Sequence, residues 1–337
     1  MKNIILTLAI ITKSIFVFAQ TEVAKPLVNW LTIQEALEKN KTTPKKILID
    51  CYTSWCGWCK VMDKNTFSNP NIAAYINQNF YAVKFNAETF DTIMYKEKQY
   101  VNKGTGNRPP HELAIEILKG QMSYPTIVYM DEKSDLITAV PGYMTPDQIE
   151  PVLIFFSQDI YKQLPYDKFK EYFELTFKDS VKREELVKWQ SLEEVTKLMQ
   201  KTPKKVIIDF YADYSPLSKI MHKATYSNPV ISKYINDNYY AVKIDALTKD
   251  TLEYFGQKYI NEGKEHPFNQ FAVTLLQGKM SFPSVVYISE ANQLISAVPG
   301  YMSPMVLEPI LEFFAKDIYK SETYDNFRKD FKTQLTP

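Results

Sequence analysis

The sequence predicts two tandem α/β domains, and three observations predict them. The chain repeats itself: Lys45-Lys46-Ile47-Leu48-Ile49-Asp50 returns as Lys204-Lys205-Val206-Ile207-Ile208-Asp209, which puts Asp209 159 residues after Asp50. Asn69-Pro70 and Tyr81-Ala82-Val83-Lys84 return at that same offset, as Asn228-Pro229 and Tyr240-Ala241-Val242-Lys243. Ser123-Tyr124-Pro125 and Ala139-Val140-Pro141-Gly142-Tyr143 return 158 residues later, as Ser281-Phe282-Pro283 and Ala297-Val298-Pro299-Gly300-Tyr301. One residue is therefore lost from the loop between, near 104–110 against 263–267. A period this long is a whole domain, since solenoid units are far shorter. Within each copy, short apolar runs alternate with segments of helical spacing. The third observation is length: 337 residues suffice for two separate cores.

The elements follow in order. Residues 30–40 read as a helix, because Leu31, Ile33, Ala36 and Leu37 fall at helical spacing and Thr32 suits an N-cap. Residues 46–52 form an apolar strand. Residues 60–67 and 71–79 read as helices, and 80–85 as a second strand of the sheet. Residues 91–100 read as helical, 104–110 as loop and 112–118 as helical again. Residues 126–130 and 136–140 make a hairpin across 131–135. Residues 146–161 supply a closing helix, with Thr145 as cap and Pro146 at the first position, where a missing N–H costs nothing. The second copy repeats each step over 189–319.

The tails belong to the repeat as well. Asp159-Ile160-Tyr161-Lys162 and Tyr166-Asp167-Lys168-Phe169 match Asp317-Ile318-Tyr319-Lys320 and Tyr324-Asp325-Asn326-Phe327, so each unit carries a helical extension. The join near 177–184 is charged and poor in Gly and Pro, which predicts a short, stiff connection. The division that results is 1–19, 20–180 and 181–337.

A formal charge of +1 excludes a strong electrostatic pull toward nucleic acid or anionic lipid, so no nucleic-acid partner is expected. The 23 Tyr and 20 Phe predict two aromatic-rich cores, or a peptide-binding or inter-domain face using some of the rings. At the N-terminus Lys2 precedes apolar stretches at 4–11 and 15–19, which reads as an export signal cut after Ala19. Lys13 interrupts the run short of the roughly 20 apolar residues that a membrane span needs. The expected location is periplasmic or otherwise exported, with no stable membrane insertion of the mature chain.

Chemistry concentrates at Trp55-Cys56-Gly57-Trp58-Cys59-Lys60, directly after the first strand. Two residues between cysteines, where a strand hands over to a helix, let the sulfurs bond and separate without rebuilding the fold. The first cysteine would sit at the helix N-terminus, where unpaired N–H groups favour a thiolate. The pattern points to thiol–disulfide exchange. In the second copy the same positions read Tyr214-Ser215-Pro216-Leu217-Ser218-Lys219, so both sulfurs have become hydroxyls and that copy cannot carry out the exchange. Cys51, the third cysteine, alternates to the face opposite Asp50 and reads as a buried inert thiol. With no second CxxC, and no ligand spacing around His111, His222 or His266, neither a metal nor another cofactor is expected.

The strand, Asp50 six residues before Cys56, the Trp-Cys-Gly-x-Cys-Lys run and Ser123-Tyr124-Pro125-Thr126 at a later strand together resemble the thioredoxin superfamily. More closely, they resemble secreted thioredoxin-like proteins related to the C-terminal domain of bacterial thiol:disulfide interchange proteins. The resemblance covers about 28–160 and, without cysteines, 187–318. It implies two tandem thioredoxin-like folds, each a central mixed β-sheet flanked by helices. The connection 86–124 is longer than the family's usual one, which predicts a helical insertion before the cis-Pro strand and beside the site.

The resemblance implies roles residue by residue. Cys56 would be the exposed nucleophile, Cys59 the buried resolving thiol, and Pro125 a cis proline against the disulfide. Asp50 would relay a proton for Cys59. Its place in an Ile/Leu run independently predicts a raised pKa, although Asp209 persists where there is no thiol, as a purely structural carboxylate would. Trp58, where cytoplasmic thioredoxins have Pro, either packs on the surface or touches substrate. Trp55, Gly57, Trp58 and Tyr124 form the set expected to contact substrate. The implied activity is reduction of disulfides in protein or peptide substrates, with a membrane-bound redox partner resetting the pair. Run backwards, the same groups make a disulfide oxidase or isomerase. A different class is a peptide-binding or chaperone-like module in which the cysteine-free domain holds clients.

Overall fold

Ile47, Leu48 and Ile49 are all buried, as a strand in the middle of a two-faced sheet requires. The computed structural model describes residues 26–180 and 185–335. The first copy runs α1 (Ile33–Thr42), β1 (Lys46–Tyr52), α2 (Gly57–Met62), α3 (Pro70–Asn79), β2 (Phe80–Asn86), β3 (Ile93–Tyr95), β4 (Lys98–Tyr100), α4 (Glu112–Ile117), β5 (Thr126–Met130), β6 (Leu136–Pro141), α5 (Pro146–Ser157) and α6 (Tyr166–Phe177). Its sheet has the order β2-β1-β5-β6, with β1 parallel to β2 and antiparallel to β5. The second copy runs β7 (Trp189–Gln190), α7 (Leu192–Lys201), β8 (Val206–Tyr211), α8 (Pro216–Ile220), α9 (Pro229–Asn238), β9 (Tyr240–Asp245), β10 (Leu252–Tyr254), β11 (Gln257–Tyr259), α10 (Gln270–Leu275), β12 (Ser284–Ile288), β13 (Leu294–Pro299), α11 (Pro304–Ala315) and α12 (Tyr324–Asp330). Its sheet, β13-β12-β8-β9-β7, repeats the first and adds a short parallel edge strand. Each copy is thus a mixed sheet flanked by helices. The predicted export signal and the boundary at residue 181 fall outside the described residues.

Local chemistry sets the helix ends. Thr32 and Glu35 form a reciprocal capping box, so α1 starts at Ile33 and not at residue 30. Leu31 instead bridges to Val83 alongside β2. Cys56 caps α2, which therefore begins at Gly57, three residues before the predicted start, and passes into a π-helical segment, Asp63–Phe67. The closing helix α5 ends at Ser157, and Asp159, at φ +57°, turns the chain into a 3-10 turn, Ile160–Lys162.

One segment overturns its prediction. Residues 91–100 form a hairpin, β3 with β4, and not a helix. Ile93 and Tyr95 are buried while Met94 between them is exposed, the period of a strand. Lys96 and Glu97 both take positive φ, +50° and +62°, as the tight turn between the strands requires.

Two apolar layers enclose the first sheet. Ile47, Ile49 and Cys51 face α1 and α4 through Ala36, Leu113 and Ile117. Leu48 faces the other way, toward Met62, Ile76 and Leu153. That second layer does not stop at the domain. It continues through Phe169 and Phe173 of α6 to Leu217, Ile220 and Met221 of the second copy. α6 lies against α8, and Gln163 just before it donates to the Tyr301 carbonyl (2.9 Å) and accepts from the Ser303 N–H (3.4 Å). Each buried Phe is worth about 1.5–3 kcal/mol, so two of them on a shared face make the copies interdependent.

Candidate active site

The CxxC lies where β1 ends and α2 begins. Cys56 and Cys59 are bonded to each other, with Cα atoms 5.4 Å apart. Cys56 Sγ also accepts the Cys59 N–H at 3.1 Å, so the helix N-terminus is turned on the first sulfur. Neither cysteine is openly exposed: Cys56 keeps 5% of its surface and Cys59 2%. The expected exposed nucleophile is thus recessed, while Trp55 and Trp58 beside it stay 48% and 61% exposed.

The other predicted residues gather around the pair with unequal roles in the geometry. The Tyr124–Pro125 bond is cis. The Tyr124 ring meets Trp55 edge-on at 6.3 Å, and burial pushes its hydroxyl up to about 12. Trp58 leans on Tyr143, a residue sequence reading did not single out, with centroids 5.4 Å apart. Gly57 is not a steric necessity, since a Cβ there would meet nothing within 4 Å. Cys51 is fully buried on the opposite face, and burial drives its thiol pKa well up.

Asp50 is 1% exposed, and its Oδ2 accepts from Lys84 Nζ at 2.5 Å. The contact follows from register, because Asp50 and Lys84 are Cα partners across the parallel β1/β2 pair. Lys84 also pairs with Asp63, one turn beyond Cys59, and sits 5.0–5.5 Å from the rings of Trp30, Tyr52 and Phe67. Burial raises Asp50 to about 6 against the opposing pull of Lys84, with a further push from Asp63. Burial works against the Lys84 ammonium, but the two carboxylates hold its pKa above the usual value. Asp50 Oδ1 has no partner among the described residues. Lys84 and Asp63 were missed, although Lys84 recurs as Lys243 at the same offset at which Asp50 recurs as Asp209.

The second copy keeps the frame. Phe282–Pro283 is also cis. Ser215 Oγ takes over the cap, accepting from the Ser218 N–H (3.3 Å) and donating to the Phe282 carbonyl (3.0 Å). Asp209 meets His222 Nε2 at 2.6 Å, while Lys243 pairs with Glu185 instead. Among the described residues no cluster of His, Cys, Asp and Glu could hold a metal ion.

Comparison with known proteins fits this doubled geometry. The family model described as a thioredoxin-like domain matches residues 33–157 and again 192–315. The chain belongs to the thioredoxin-like domain family. An uncharacterized Caenorhabditis elegans protein, B0495.5, is 29% identical over 113 residues, 29% of this chain and 16% of that protein. The thiol:disulfide interchange protein DsbD of Pectobacterium atrosepticum is 26% identical over 134 residues, 39% of this chain and 19% of that protein. The chain thus spans less than a fifth of the length of these relatives. Among solved structures, the oxidised C-terminal domain of Neisseria meningitidis DsbD is 17% identical, with 40% of this chain and 97% of that chain covered and a TM-score of 0.25. A cysteine pair bonded within a thioredoxin-like domain is consistent with oxidoreductase activity, and the second domain lacks cysteines.

Proposed function

We propose that the protein is an exported thiol–disulfide oxidoreductase that reduces disulfides in protein or peptide substrates through Cys56 and Cys59. The observation that carries the reading is the bonded pair at a helix N-terminus, flanked by the cis Tyr124–Pro125 bond and backed by a buried carboxylate of raised pKa. The thiol:disulfide interchange for which the Pectobacterium relative is named supports it, as the amino-terminal apolar run supports export. No helix among the described residues is long and apolar enough to cross a membrane. The working units in this reading are 20–180, redox-active, and 181–337, without thiols.

In the forward direction the Cys56 thiolate attacks one sulfur of the client disulfide. A Cys56–client bond forms, the client's S–S bond breaks, and the second client sulfur leaves as a thiolate that takes a proton from water. The Cys59 thiol then gives its proton to Asp50, whose free Oδ1 can accept it, and the Cys59 sulfur attacks Cys56. The Cys56–Cys59 bond forms as the remaining client sulfur leaves and is protonated by the proton that Asp50 releases. Two electrons and two protons have passed to the client. A membrane-bound dithiol donor resets the pair by the same exchange.

The test is the reduction potential of Cys56–Cys59, measured in glutathione buffers with mass-tagging of free thiols. A value near or below about −230 mV fits a reductase, and one near about −120 mV makes the protein an oxidase. A pair that never cycles removes the enzyme reading. A cleft of about 370 Å³ between the copies, lined by Tyr75, Ile154, Gln158, Tyr214, Ser215 and Phe282, favours a second reading in which the cysteine-free domain holds clients. In that case a Cys56→Ser variant keeps client affinity, and a bulky Ser215→Trp change loses it.

A further inference from the structure

We propose that Arg108 reads a carboxylate next to the client's disulfide, so that the first site selects acidic clients. The inference rests on the reading that Cys56 and Cys59 exchange with such a disulfide. The Arg108 guanidinium carbon lies 4.8 Å from the ring centroid of Trp55, the residue before Cys56. The indole is fixed from two other directions. Its Nε1 donates to the Glu88 carboxylate at 2.9 and 3.1 Å, and Tyr124, before the cis proline, meets it edge-on. Trp55 thus carries a cation to the rim of the disulfide.

That cation is uncommitted. Arg108 is exposed and, among the described residues, has no hydrogen bond and no carboxylate partner. A guanidinium resting on a ring keeps its in-plane N–H donors free, in a fork that matches a carboxylate. Its backbone sits at φ +57°, a region that non-glycine residues rarely occupy, and Pro109 and Pro110 follow immediately. The Asn102 side chain ties the loop down, donating to the carbonyls of Glu88 (3.4 Å), Thr89 (3.1 Å) and Pro109 (2.8 Å).

The second copy is an internal control. Asn261 makes the same three bonds, to Leu247, Thr248 and Pro267, so the loop frame is intact there. Yet Trp55 has become Tyr214, Glu88 has become Leu247, and His266 stands where Arg108 does. His266 packs back on Phe268 of its own loop, with centroids 6.1 Å apart. Holding the loop therefore does not require the trio. All three side chains are absent from the copy that has no thiols, which ties them to the chemistry.

The experiment uses three disulfide-linked peptides that differ only in the residue beside the cysteine: Glu, Gln or Lys. Pre-reduced protein should reduce the Glu peptide about fivefold faster than the Gln peptide, the scale of a rim ion pair with good geometry, and the Lys peptide slowest. Salt should narrow the spread. Arg108→Gln should bring the ratios toward one, and Arg108→Lys should restore part of them. A readout free of chemistry separates this inference from the oxidoreductase reading: titration of reduced peptides into protein carrying Cys56→Ser and Cys59→Ser, followed by tryptophan fluorescence. If exchange never occurs but the Glu preference appears in this binding and vanishes with Arg108→Gln, the inference stands and the enzyme reading falls. Equal handling of the three peptides in both assays overturns it, as does a preference that survives Arg108→Gln.

Discussion

At the first site a buried carboxylate, Asp50, meets an ammonium that is shared with Asp63; at the second, Asp209 meets the imidazole of His222. Above them the contrast is wider. Trp58 stands 61% exposed on the α2 surface, while Leu217 at the matching position is 5% exposed beneath α6. Tyr143 supports Trp58, whereas its counterpart Tyr301 is buried and holds Gln163. The comparison separates frame from chemistry. The cis proline, the capping side chain and the partnered buried acid persist in both copies, so they belong to the frame. Among the described residues, sulfur, an exposed tryptophan at the helix start and an arginine over such a ring occur only where exchange is proposed.

The sharpest way to break the comparison is to make the first site like the second. Cys56→Ser should reduce disulfide-peptide reduction to background while leaving the far-ultraviolet circular dichroism unchanged; retained turnover would mean the chemistry lies elsewhere. The reverse change, Ser215→Cys with Ser218→Cys, should not create a second active site, because α6 covers Leu217. Exchange from that pair at the first site's rate would show that the cover is irrelevant.

Asp50→Asn comes next. Loss of the proton acceptor should slow resolution of the mixed disulfide by about a hundredfold and remove the rise in rate around pH 6. Stability should move the other way. A folded pKa raised from 3.8 to about 6 means that the folded state holds a proton which the unfolded state releases between those values. Wild-type stability therefore falls as pH rises through that window and is level above it. The Asn variant gains on wild type across the window, by about 3 kcal/mol at full extent. Urea midpoints from pH 4 to 8 test this, and a constant difference would remove Asp50 as the titrating group.

The smallest effect concerns the helix face alone. Leu217→Ala should cost about 2–3 kcal/mol of unfolding free energy, because it opens a cavity under α6. Trp58→Ala, at the matching exposed place, should cost less than about 1 kcal/mol. Equal costs in thermal melts would mean that α6 does not brace the second domain.

Much of this was readable because the pattern was written twice. The bounds of β1, the helix start at Cys56 and the burial of Asp50 all follow from local chemistry: an apolar run, a strand handing over to a helix, an acid among isoleucines. The 91–100 hairpin was not readable from the first copy, whose turn uses Lys96 and Glu97 and carries no glycine. The second copy has Gly256 in its turn, at φ +79°, so the signal was present in the repeat. Lys84 and Arg108 were hidden for another reason. Lys84 meets Asp50 only through strand register, and Arg108 reaches Trp55 only across a loop. Neither distance is encoded near the residue itself. The recessed position of Cys56 is likewise a product of packing and not of any neighbouring sequence.

The helix α6 has one consequence for how such a chain changes over generations. By sequence it is the tail of the first repeat, yet by packing it is a wall of the second, so a damaging substitution in either copy is felt by both. Natural selection then acts on the pair as a single inherited unit. Under that regime the second copy can stand without sulfurs, since the proposed exchange needs only the first site. What it cannot shed is the apolar floor of Leu217, Ile220 and Met221 on which its neighbour's helix rests.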